Sequence, residues 1–253
     1  MYKMAKLLFT TSWDDGHTLD MRIAKLLGRY ELKGTFYVLP PNEREDALSE
    51  EQIRELSAQH EIGAHTLAHK NLPTLSPERM REETAGSKAW VEQVTEKPCP
   101  MFCYPRGDYN ANAIAAVREA GFRAARTVEP LQFVGSQAFL LPTTLQVYPF
   151  PWRPRRTRWW HILDPLGPLR AKAVRIAGLS VPLSSLKTWQ SFAQALLLHA
   201  KRQQLPFFHL WGHAKEIDRY NQWDDLEQFF AFVRAQDIAP VTNYELAEVL
   251  RIV

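Results

Sequence analysis

Short apolar runs alternate with stretches of helical spacing along most of this 253-residue chain. The runs fall at 6–11, 34–39, 61–65, 100–104, 124–128, 143–147, 206–212 and 238–242. Between them, 18–30, 49–59, 76–94, 111–120, 185–203, 223–235 and 243–250 read as helices. The local signals agree. Ser49 and Gln52 form a capping box, Pro77 suits a first helical turn, and Gly121 stops a helix. Strands joined by helical crossovers build a parallel sheet covered by helices. The length suits one such domain, an α/β barrel included.

Residues 148–186 break the alternation. Pro149, Pro151 and Pro154 are followed by Arg153, Arg155, Arg156, Arg158, Trp159 and Trp160, then by Arg170, Lys172 and Arg175. This is an irregular insertion within a single domain spanning 1–253, not a second domain. It reads first as a solvated loop with arginines stacked on tryptophans. Its functional reading is a contact for phosphate or anionic headgroups, since guanidinium forks match phosphate. A net charge of +3 is too mild to indicate nucleic acid. No run of about 18 apolar residues is present, so no transmembrane segment is expected. No leader-like apolar region precedes the first strand, and a cytoplasmic protein is expected. Cys99 and Cys103 have neither zinc-knuckle nor redox spacing and are expected to be free thiols.

Chemistry-bearing residues gather directly after the apolar runs, at 14–15, 65–69 and 105–107. In α/β barrels ligands collect at that end of the strands. Ser12-Trp13-Asp14-Asp15-Gly16 ends the first strand on two adjacent acids. By itself the pair reads as a helix N-cap. His65 and His69 change this, because two imidazoles four residues apart can meet one ion. With one carboxylate from Asp14 or Asp15 they make the three-ligand set of a catalytic zinc site, with one position open. Neighbouring residues of an extended chain point in different directions, so one acid can face the ion and the other the water. On the strand before His213, His209 and Trp211 share a face with it. His209 reads as a buried, hydrogen-bonded residue deeper in the site, and His213, at the strand end, suits an acid.

The motifs Thr11–Gly16 and His65–His69 resemble the first two motifs of the polysaccharide deacetylase family, also called the NodB homology group or carbohydrate esterase family 4. Gly34 to Val38 matches the family's second strand, and Phe102 to Asn110 resembles its third motif. Phe208 to His213 looks like a variant of the last. The resemblance implies a distorted (β/α) barrel of about seven parallel strands. It implies that Asp15, His65 and His69 bind a divalent metal, most often Zn2+, with Co2+, Ni2+ or Fe2+ as alternatives. It further implies that Asp14 is the general base, His213 the general acid, and the Arg106 backbone N–H an oxyanion donor. Trp13, Tyr104, Pro105, Trp211 and His209 complete the expected substrate contacts. Two departures stand out. Cys103 occupies the position of the arginine that orients the base in relatives, and Trp189 lacks the acid expected near it in the fourth motif.

Amide hydrolysis needs an activated water and an acid for the departing amine. The expected activity is therefore metal-dependent removal of an acetyl or formyl group from an amino sugar, in a surface-polysaccharide pathway. A nucleotide- or lipid-linked sugar fits the basic insertion, with peripheral membrane contact. Two alternatives remain: a hydrolase of ureide or imide C–N bonds, and a carbohydrate-binding protein that keeps the metal without turnover. The second takes its motive from Cys103.

Overall fold

The computed structural model describes residues 6–42, 44–152 and 164–253. Residues 153–163, with the Arg153, Arg155, Arg156, Arg158, Trp159 and Trp160 cluster, lie outside the described residues. Among the described residues, eight parallel strands form one curled sheet. They are β1 (Leu7–Asp14), β2 (Thr35–Val38), β3 (Glu61–Ala64), β4 (Met101–Cys103), β5 (Ala124–Arg126), β6 (Leu145–Gln146), β7 (Phe207–Gly212) and β8 (Ile238–Pro240). The order is β5-β4-β3-β2-β1-β7-β6, and β8 pairs with the lower half of β1. Residues 141–147 draw the edges together. Leu141 donates to the Ala125 carbonyl of β5, while Thr144 and Val147 donate to His209 and Trp211 of β7. The result is the distorted (β/α) barrel expected from the sequence.

The helices are α1 (Asp20–Arg29), α2 (Glu50–Ser57), α3 (Pro77–Thr95), α4 (Ala111–Glu119), α5 (Gly167–Arg170), α6 (Ala173–Ala177), α7 (Trp189–Arg202), α8 (Ala214–Arg219), α9 (Trp223–Arg234) and α10 (Asn243–Val249). Ser49 and Gln52 make the anticipated capping box on α2, and Ser76 caps α3 ahead of Pro77. The acid pair caps nothing. Helix α1 begins at Asp20, its N-cap position is Leu19, and the Leu19 side chain makes no capping hydrogen bond. That frees Asp14 and Asp15 for other work.

Alternation along β1 divides the molecule into two cores. Leu7, Phe9 and Trp13 face the helices, where Phe9 packs on Phe208 and Phe229 and Trp13 meets Phe230 edge-on. Burying aromatics of this size contributes on the order of 2–3 kcal/mol each. Leu8, Thr10, Ser12 and Asp14 point the other way, into the barrel. There Tyr37, Met101, Cys103, Leu141 and Phe207 fill the lumen with Leu246 and Ala247 of α10. Helix α10 plugs the bottom. Asn243 accepts from the Thr10 hydroxyl and donates to the Tyr37 hydroxyl, and its backbone N–H donates to Thr35. With the lower end closed by α10, the upper end, where the strands finish, holds the site.

Candidate active site

Each functional side chain comes from the end of a strand or the turn after it. Asp14 is the last residue of β1, and Asp15 leaves the strand with a left-handed backbone (φ 78°). That reversal sends the two carboxylates apart. Arg44 holds the turn by donating to the Asp15 carbonyl at 3.0 Å. After β3, Thr66 (φ 65°) and His69 (φ 51°) are also left-handed, as is Arg106 (φ 61°) after β4. Such conformations cost of order 1–3 kcal/mol and persist where their surroundings hold them. For the His65–His69 loop the holder is Glu83 of α3, buried, whose carboxylate accepts from the Leu67 and Ala68 N–H groups at 2.9 and 3.0 Å. Beyond Arg106, Gly107 (φ 75°) has no room for a side chain, since a Cβ would lie 2.1 Å from Val128. The turn is therefore fixed against the strand-end loop beside it.

Three ligand atoms converge. His65 Nε2 lies 3.5 Å and His69 Nε2 3.4 Å from Asp15 Oδ1. Asp15 Oδ1 is buried with no hydrogen-bond partner among the described residues. His65 donates through Nδ1 to the Cys103 carbonyl at 2.8 Å, which leaves Nε2 facing the cluster. A ligating histidine is normally oriented in this way by its other nitrogen. Asp15, His65 and His69 thus fit a divalent cation. A second grouping, Asp14, His65 and Cys103, is a poorer holder. Burial pushes the Cys103 thiol up, and Asp14 is already bound to arginine.

The arginine is Arg126, at the end of β5. Its guanidinium pairs with Asp14 Oδ1, and both groups are buried. The register sets Arg126 directly opposite Cys103 on β4. A guanidinium from the next strand thus reaches Asp14, which Cys103 cannot ion-pair. The Cys103 thiol lies 3.7 Å from Asp14 Oδ2, within reach of a weak hydrogen bond. The rings of Trp211 and Tyr37 face the guanidinium at 4.8 and 5.2 Å. Burial would raise the Asp14 carboxyl, but Arg126, His65 and His213 hold it below the usual range. Asp15 is likewise raised by burial and brought well below its ordinary value by His65, His213 and His69.

Across the cavity stands His213, just past β7. Its Nδ1 donates to Glu216 of α8 at 2.9 Å, and its Nε2 lies 3.9 Å from Asp15 Oδ2. Gln146 of β6 also donates to Glu216, at 3.3 Å. Burial would lower the imidazole, but Glu216, Asp14 and Asp15 leave it raised. Glu216 thus supplies the carboxylate that the sequence lacked around Trp189. Trp189 itself is buried against Phe229 in the helix layer.

Asp14, Asp15, His65, His69, Tyr104, Arg106, Trp211 and His213 all line one cavity of about 500 Å3. Three residues expected to touch substrate do not line it. Trp13 is fully buried on the helix side, where its indole N–H donates to Thr11. Pro105 is buried within its turn. His209 is fully buried lower in the barrel, bonded to Ser12 at 2.9 Å and to the Pro142 carbonyl at 3.2 Å. Burial and the Arg126 charge lower His209 to about 3, so it stays neutral. Arg126, Glu216 and Glu83 are the positioning residues the sequence reading missed. A lone arginine in an otherwise apolar strand, and an acid three residues after His213, were the available signals.

A parallel barrel with two histidines, one aspartate, a held carboxylate and a held imidazole at its upper mouth defines a candidate metallohydrolase. Residues 3–125, just under half of the chain, match the family described as polysaccharide deacetylase. The Bacillus subtilis protein YxkH, which carries a provisional polysaccharide deacetylase name, is 31% identical over 123 residues, covering 47% of this chain and 44% of that one. A peptidoglycan-N-acetylglucosamine deacetylase of Bacillus cereus is 25% identical over 118 residues, covering 46% of this chain and 54% of that one. The matching stretch therefore spans about half the length of these curated relatives. The fold extends further. A crystal structure from Mycobacterium smegmatis, provisionally named a polysaccharide deacetylase, superposes with a TM-score of 0.68 at 16% identity, covering 99% of this chain and 92% of that one.

Proposed function

We propose that this protein is a metal-dependent hydrolase that removes an N-acyl group, acetyl or formyl, from an amino sugar used in surface polysaccharide. The observation that carries this reading is the division of labour around one cavity. Asp15, His65 and His69 converge on one point, while Asp14 and His213 flank it with opposite pKa tendencies. Paired titratable groups pushed apart by their surroundings mark a base and an acid.

A divalent ion, Zn2+ by donor set with Co2+, Ni2+ or Fe2+ as alternatives, would acidify a water and polarise the acyl carbonyl. Asp14, kept ionised by Arg126, takes the proton from the attacking water. The Arg106 N–H supports the oxyanion. His213, protonated with Glu216 behind it, delivers a proton to the amine as the C–N bond breaks. Tyr104 and Trp211 form the wall against which the sugar ring rests. Arg126 removes the motive for a binding protein without turnover, because the base has an orienting cation after all.

Two free, buried thiols, Cys99 and Cys103, suit a reducing compartment, and the proposed location is the cytoplasm. No helix among the described residues is long and apolar enough to cross a membrane. The test is acetate or formate release from a panel of N-acylated amino sugars, run beside C–N bond hydrolysis of a panel of ureides, with and without added Zn2+ or Co2+. Metal-dependent hydrolysis of the sugars alone is the expected result. Hydrolysis of ureides alone, or of no substrate by fully metallated protein, would overturn the proposal.

A further inference from the structure

The charges on the cavity wall do not balance. Its two acids are accounted for: Asp14 by Arg126, and Asp15 by the two histidines and the ion they fit; Glu216, off the wall behind His213, is paired with that imidazole. Two cations on the same wall, Arg106 and Lys172, have no carboxylate partner among the described residues. Lys172 comes from the insertion. Of the three basic residues in its described part, Arg170 is bound to Asp164, and Arg175 donates to the Pro130 carbonyl at 3.0 Å and lies 3.6 Å from Glu129. That second contact clamps α6 to the loop after β5, where Pro130 itself lines the cavity. Ile176, buried, anchors the same short helix. Lys172, the residue immediately before α6, is thereby set at the cavity and left unspent. Burial lowers its amine, with no compensating charge. Arg106 stands on the turn after β4, close enough for its charge to act on His69.

A partly desolvated cation without a counter-charge is costly, and an anion arriving with a ligand removes that cost. A guanidinium fork and an ammonium on one wall match a phosphate. We propose that Arg106 and Lys172 form an anion subsite, and that the amino sugar taken by this protein carries a phosphate ester next to the ring. This rests on the deacylase reading above and names its substrate class. The phosphate ester is common to a free sugar phosphate, a nucleoside diphosphate sugar and a sugar on a lipid phosphate.

The test is calorimetric binding to the metallated full chain, with N-acetylglucosamine 1-phosphate compared with N-acetylglucosamine. The expected result is at least tenfold tighter binding of the phosphate, weakened by salt. Lys172→Met removes most of that preference and Lys172→Arg retains it. Lys172 is only half-buried, so the melting temperature of both variants stays near wild type. UDP-N-acetylglucosamine and a polyprenyl phosphate-linked N-acetylglucosamine in phosphatidylcholine vesicles then identify the source, the tightest binder being the form used. An absent phosphate preference in wild type, or one left intact by Lys172→Met, overturns the subsite. Acyl release without phosphate preference sinks the subsite alone. A phosphate preference that depends on Lys172, without acyl release from any of these sugars, sinks the deacylase reading and leaves the subsite standing.

Discussion

The two walls that flank the Asp15, His65 and His69 cluster are built on different principles. On the side of the proposed base, Asp14 and Arg126 form a dry ion pair, with side-chain exposures of 4% and 0%. On the side of the proposed acid, His213 and Glu216 keep 26% and 27% of theirs. A buried pair is expensive to break, because the remaining charge is stranded away from water. A partly solvated pair costs little stability and acts mainly on proton affinity. The proposed base is therefore fixed by the fold, and the proposed acid is tuned by its surroundings.

Removing one partner on each side should expose this contrast. Arg126→Met is expected to cost about 3–5 kcal/mol in denaturant unfolding and to lower kcat, since it strands Asp14 among lumen side chains. A loss below about 1 kcal/mol would show that the base wall is not a buried pair in solution. Glu216→Gln should change stability by less than about 1 kcal/mol, yet lower kcat by roughly tenfold or more. His213 is raised partly by Glu216, so its protonated form should then survive to a lower pH only. The alkaline limb of the kcat/KM profile moves towards acid. An unmoved limb would detach Glu216 from the acid.

Cys103→Ala tests whether the thiol shares the arginine's task. With Arg126 intact, a stability loss of about 1 kcal/mol from the small cavity and a kcat within severalfold are expected. A collapse of activity would move the burden of orienting Asp14 back to β4. Glu61 separates burial from catalysis. It lies at the bottom of the barrel, bonded to Thr35 and to the N–H of Tyr244, and burial raises it to about 7 from 4.5. The folded state holds this proton more tightly than the unfolded one. Its contribution is full below about pH 4.5 and is lost as pH rises to about 7. Glu61→Gln should flatten that decline, on the order of 1–3 kcal/mol, in melts taken across pH 4–8 with kcat unchanged. A shifted kcat would mean that the lower barrel communicates with the site.

The same contrast explains what the sequence could show. Asp14, Asp15, His65 and His69 were legible because each pair is separated by one or four residues, distances that local geometry converts into shared or opposed directions. The strand–helix alternation revealed the barrel, and the alternation along β7 placed His209 below Trp211. Arg126 was not legible, because its partner lies 112 residues away and only the β4–β5 register brings it beside Cys103. Glu216 lies on α8, six residues long, too short to show a helical period. Trp13 was misplaced for a simpler reason. It belongs to the motif, but at an odd step of β1 it faces the helices while Asp14 faces the lumen.

The sharpest test of this division is metal content and acyl release measured side by side for Asp14→Asn and Asp15→Asn. Asp14→Asn should retain about one divalent ion per chain and lose turnover. Asp15→Asn should lose both. Metal lost from Asp14→Asn and kept by Asp15→Asn would reverse the two roles and contradict the account.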